Sequence, residues 1–176
     1  MSEPQSENLG PHVRTLQIIV ASLVMGVILF GGYVVLFAPA QAKPGANGQI
    51  LTLLSMVVGA SGLVLSPLIA GIMARAQIRG IASGTWQPSQ PGRPAPDTDA
   101  GRLAIVYSTK TIVGAALCEG PCLLALVAYM VERQWPALLA AGVLVAALLW
   151  HLPTYDRVSN WIEDGLRQVA EARRFR

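Results

Sequence analysis

The chain has 176 residues, of which 53% are hydrophobic and only 13% charged, whereas a soluble globular domain carries roughly 25% charged residues. That balance excludes an ordinary soluble domain and points to the membrane class. The formal net charge of +3 is small and its cations are not interleaved with aromatics along one segment, which excludes a nucleic-acid-binding face.

Residues 1–15 form a polar cytoplasmic N-terminus whose opening, MSEPQSENLGPHV, holds two prolines and no sign of a domain. Four apolar stretches follow, at about 16–38, 50–74, 108–131 and 135–151. Three are long enough to cross about 30 Å of hydrocarbon at about 1.5 Å per residue, and the fourth just reaches. The first, LQIIVASLVMGVILFGGYVVLF, is apolar all round, as suits a helix surrounded by lipid and neighbours. The LFAPAQAKP that ends it contains an Ala-x-Ala pattern resembling a signal-peptidase site. Because the run is longer than an h-region and Glu3 and Glu7 precede it, the first helix is expected to stay uncleaved.

In the second stretch Ser55, Gly59, Gly62 and Ser66 recur at i, i+4, i+7 and i+11. This is one face of a helix, and small residues on such a face let membrane helices approach closely. Pro67 is expected to kink the helix just beyond it. A flexible cytoplasmic loop over about 80–103 then divides the 16–151 region into two hairpins, since Pro88, Pro91, Pro94 and Pro96 leave no helical period there.

The third and fourth stretches are joined by only Glu132, Arg133 and Gln134, which predicts antiparallel neighbours. Pro136 suits the first turn of the fourth, where its missing donor costs nothing. Trp135 and Trp150 bracket that helix as interfacial anchors. Over 154–174 the period changes: Val158, Trp161, Ile162, Leu166 and Val169 share one face of an amphipathic cytoplasmic helix. Its placement stays open between two arrangements. It lies along the membrane surface with Trp161 as a third anchor at headgroup level, or it packs on the inner ends of the bundle.

With the N-terminus inside, eleven Lys and Arg residues fall in cytoplasmic segments and only Lys43 and Arg133 fall outside. That asymmetry predicts four spans with both termini cytoplasmic, in a bacterial-type inner membrane. The expected fold class is therefore all-α, a polytopic membrane protein with four transmembrane helices in two hairpins and a C-terminal amphipathic helix.

The third stretch, TIVGAALCEGPCLLALVAYMV, has a single charged residue, Glu119, eight residues from Thr111 and twelve from Val131. A charged carboxylate at that depth costs on the order of 3 kcal/mol on insertion scales. No Lys, Arg or His lies at the same depth in another stretch, so the expectation is a protonated Glu119 in a small polar pocket. Ser61 and Ser66 are the candidate partners. Pro121 adds to the pocket by leaving the Leu117 carbonyl without its intrahelical donor. The functional reading of such a pocket is an ion or proton site, and the structural reading is a polar staple that fixes helix pairing.

Cys118 and Cys122 read as two small apolar side chains. A metal site would have to add His12 or His151, which belong at the cytoplasmic edge, so the ligand count fails. No metal or other cofactor is expected, and no phosphate loop, zincin helix or nucleophile elbow supports an enzyme.

The segment GAALCEGPCLLALVAYMV resembles the carboxylate-bearing helix of the proteolipid subunit c of rotary ATPases. The resemblance implies that Glu119 binds an ion and that hairpins assemble into a ring. It covers about 20 residues of the chain. The second stretch shows only Gly59, Gly62 and Gly71 where that family has a dense glycine repeat, and the cytoplasmic loop is several times longer. The chain reads as a small four-span membrane protein rather than a rotor subunit. The expected role is non-enzymatic, by helix association with a second copy or a membrane complex in the lipid bilayer, through the small-residue face of the second stretch (Ser55, Gly59, Gly62, Ser66) and the basic C-terminal tail. The alternative is proton or cation translocation through Glu119.

Overall fold

A computed structural model describes residues 10–37, 49–88 and 96–174. Most of the N-terminal lead, the Ala-x-Ala segment with Lys43, the centre of the Pro-rich loop with Arg93, and Arg176 lie outside the described residues. Five helices follow one another: α1 Gly10–Leu36, α2 Ile50–Ser83, α3 Asp99–Glu132, α4 Trp135–Trp150 and α5 Tyr155–Arg174. Three of them, α1, α2 and α3, are long and apolar enough to cross a membrane, and a fourth crossing is reached if α4 is taken together with α5.

The helices form two compact units. One consists of Ile19–Ile69 and Val113–Leu152, the apolar parts of α1, α2 and α3 together with α4. Its core is built from Val24 and Val27 of α1, Ala115, Cys118, Cys122, Ala125 and Leu126 of α3, and Ala141, Leu144 and Leu148 of α4. α2 and α3 run antiparallel in this unit. α4 starts with Trp135 and Pro136 after Gln134 in an extended conformation, and Arg133 takes the left-handed φ of 53° that ends α3.

The other unit gathers Met1–Ile18, Ala70–Ile112 and Pro153–Arg176. Here α2 continues to Ser83 and α3 already begins at Asp99, so both extend past the apolar stretches at 50–74 and 108–131. Ala74, Ile78 and Ile81 of α2, with Leu103, Ala104 and Val106 of α3, bury against Val158, Ile162 and Val169 of α5 and Val13 of α1. The extensions stay helical because each carries an apolar stripe with a partner to cover it. α5 is packed within this unit, its Gly165 set against the Leu103 side chain.

The ends of these segments are capped in recognisable ways. Gly84 takes φ +76° after α2, the Gly84 amide donates to the Ile81 carbonyl, and the Thr85 amide donates to the Gly80 carbonyl. This is a Schellman ending that needs a residue without Cβ. Thr98 opens α3 by accepting the Gly101 amide on Oγ1 at 3.1 Å.

Candidate functional site

The first amides of an α-helix have no intrahelical acceptor. At the start of α2, the Leu51 amide donates to Oε1 of Glu132 and the Thr52 amide to Oε2, both at 2.8 Å. Glu132 is the last residue of α3 and is buried. Its carboxylate thus closes the end of a helix that begins about 80 residues earlier in the chain, and its negative charge suits the positive end of that helix's dipole. One turn on, the buried Ser55 hydroxyl donates to the Thr52 carbonyl.

Further along, α2 meets its neighbours through small residues. Ser55, Gly59, Gly62 and Ser66 are all buried. A Cβ at Gly59 would stand 3.2 Å from Leu144 of α4. At Gly62 it would stand 2.7 Å from the Leu117 carbonyl oxygen and 3.1 Å from Pro121 Cγ. The carbonyl that Pro121 deprives of its helical donor is therefore covered by the backbone of α2, at a distance only glycine permits. Gly62, Leu117 and Pro121 form one close contact.

Four residues further, the buried Ser66 hydroxyl lies 3.0 Å from the Gly114 carbonyl and 3.3 Å from Nε2 of His151. His151 Nδ1 lies 2.8 Å from the Ala147 carbonyl, so a neutral imidazole carries its proton on Nδ1 and leaves Nε2 as an acceptor. The Cys118 thiol stands beside the same hydroxyl, while Cys122 Sγ donates to the Ala141 carbonyl at 3.5 Å. Ser66, Gly114, Cys118 and His151 thus form a small polar node on α2, α3 and α4. The involvement of His151 has no signal in the sequence, where it reads only as the residue after the fourth apolar stretch.

Glu119 stands apart from these contacts. It is partly exposed, between the buried Cys118 and the exposed Gly120. Ser61 is exposed and its hydroxyl donates back to the Val57 and Val58 carbonyls of its own helix, at 2.7 and 3.0 Å. With Ser66 turned to Gly114, both serine hydroxyls are directed elsewhere. Among the described residues Glu119 has no hydrogen-bond or ion-pair partner.

Of the aromatic anchors, Trp135 and Trp150 are 67% and 73% exposed at the two ends of α4. Trp161 is partly buried, edge-on to Tyr107 with ring centroids 5.3 Å apart, and carries the Lys110 ammonium over its ring at 5.5 Å. No family model matches the chain, and neither a curated protein nor a solved structure matches it.

Proposed function

We propose that this chain is a non-enzymatic integral membrane protein of the inner membrane, with four spans and both termini cytoplasmic, that acts by helix association in a membrane assembly. The observation that carries the association is Glu119, an acid inside a long apolar helix, partly exposed and with no partner among the described residues. A polar group left unsatisfied in hydrocarbon costs several kcal/mol (roughly 4–8 for transfer to cyclohexane), so a second chain that supplies a donor or acceptor at that depth gains by covering it. The small-residue face of α2, expected from sequence to meet another chain, is instead engaged within this one, at Leu144, Leu117 and Gly114. The surface left for a partner is the apolar exterior, most of all α1, of which only 22% of the most hydrophobic window is buried against 44% for α3. A non-enzymatic role is supported by the burial of Ser66, 1% exposed, which keeps the hydroxyl beside His151 away from any substrate.

Affinity purification from a mild detergent tests this reading. Wild-type chain is expected to retain itself or a membrane partner, Glu119→Gln to keep that partner through its amide, and Glu119→Leu to lose it. Translocation of a proton or cation uses the same exposed carboxyl and separates cleanly. Loss of ion flux in Glu119→Gln with assembly intact, together with carbodiimide modification of Glu119 in the wild type, would replace association by transport.

A further inference from the structure

Lys110 stands one residue before the uncharged run that opens at Thr111 and continues to the next acid, Glu119. If the chain spans a membrane, this is where α3 passes from headgroup to hydrocarbon. Around Lys110 the structure assembles groups from two helices. Its ammonium sits over the Trp161 ring at 5.5 Å, and Trp161 packs edge-on against Tyr107. Arg157, in the first turns of α5, is near enough to Tyr107 to act on it electrostatically, and the Thr111 hydroxyl stands beside the same phenol. Among the described residues no carboxylate forms an ion pair with Lys110; Asp99 is taken by Arg102 and Arg173, and Asp156 is exposed.

We propose that Lys110, with Arg157, Tyr107 and Trp161, forms a binding site for the phosphate of an anionic phospholipid headgroup. A partly buried ammonium covered on one side by an indole still has donors to satisfy and no protein carboxylate to take them. A phosphodiester supplies acceptor oxygens and the opposite charge. The acyl chains continue along α3, which carries no charge for the next eight residues, so a lipid fits where a free phosphate would leave that apolar surface bare. The edge-on pair of Tyr107 and Trp161 holds the site at the joint of α3 and α5, and lipid binding there ties α5 down.

This site rests on the membrane reading, and the experiment separates the two. The full chain is reconstituted into vesicles of phosphatidylcholine alone and of phosphatidylcholine with phosphatidylglycerol, then washed in alkaline carbonate. Release of wild-type chain from both would overturn the membrane reading itself. The retained protein is extracted in mild detergent and its bound lipids are counted by native mass spectrometry. Wild type is expected to keep phosphatidylglycerol over phosphatidylcholine. Lys110→Gln is expected to lose about fivefold of that preference, the weight of one cation near an anionic surface, and Lys110→Arg to retain it. Arg79→Gln, a cation outside this cluster, is expected to leave it unchanged. Circular dichroism of each variant checks that the helices persist. A well-folded Lys110→Gln with undiminished preference, or displacement of the lipid by inorganic phosphate alone, would sink the proposal.

Discussion

Glu119 and Glu132 are thirteen positions apart on α3, and their surroundings give them opposite roles. Glu132 is bound by two backbone amides and closes the start of α2. A hydrogen bond to a charged group is stronger than one between neutral groups, so Glu132→Ala, which removes both acceptors, is expected to destabilise the protein more than Glu132→Gln, which keeps one. The midpoint of a denaturant titration in micelles, read by circular dichroism, checks the order. Equal stability of both variants with wild type would mean that water serves those amides as well. Gly62 offers a steric counterpart. Its Cβ would meet a backbone carbonyl at 2.7 Å and the Pro121 ring at 3.1 Å, neither of which can swing away, whereas a Cβ at Gly71 meets nothing within 4 Å. Gly62→Ala is therefore expected to cost about 1–3 kcal/mol as an overpacked contact, and Gly71→Ala to gain about 0.5–1 kcal/mol from helix propensity. The same titration reads both. The spacing of small residues on α2 is legible in the sequence because it is local, and so is the carbonyl freed by Pro121. What covers that carbonyl is not, nor is the cap at Glu132, since each depends on which residue of a distant helix arrives opposite.

At the scale of the element, hydropathy marks the apolar stretches of α1, α2 and α3 but stops short where α2 and α3 continue. A sum over a window sees Arg75, Arg79 and Arg102 and ends the apolar stretches early. The stripes Ala74, Ile78, Ile81 and Leu103, Val106 there are what α5 covers. α5 itself declares its apolar face in sequence but not the surface that receives it, because that surface lies on helical extensions that hydropathy does not mark. Two kinds of contact hold α5, and their weights differ. Arg173 reaches Asp99 at 2.7 Å with nearly half its side chain exposed, an ion pair that contributes at most about 1 kcal/mol. Leu103 is fully buried beneath Gly165, and truncating such a side chain costs about 2–5 kcal/mol. Leu103→Ala is thus expected to raise amide hydrogen exchange throughout α5 by at least about fivefold more than Asp99→Asn does. The reverse order would mean that charge, not packing, seats the helix.

For the whole molecule, the number of crossings turns on α4. At 16 residues it is about 24 Å long at about 1.5 Å per residue, short of the roughly 30 Å hydrocarbon core, and length alone does not decide whether it crosses. The composition of the second unit bears on it independently. That unit draws together the start of α1, the adjoining ends of α2 and α3, and α5, so α5 packs beside the start of α3. If α1, α2 and α3 each cross, the end of α3 lies across the membrane from its start, beside which α5 packs, and only a crossing by α4 returns α5 there. The proposed orientation, with the C-terminus inside, asks for the same crossing, since Arg157, Arg167, Arg173 and Arg174 are all in α5 and positive segments tend to stay inside. Alternating reporters fused at Gly48, at Gly92 and after Arg174 are expected to read outside, inside and inside. An outside signal after Arg174 with Gly92 inside would show α4 lying in the interface rather than through it, and would require the α5 packing against Leu103 and Ile81 to be abandoned. Exposed Trp135 and Trp150 at its two ends give α4 an aromatic anchor for each interface, and thinning of the bilayer by a few ångströms, at a modest cost for each, accommodates its short span.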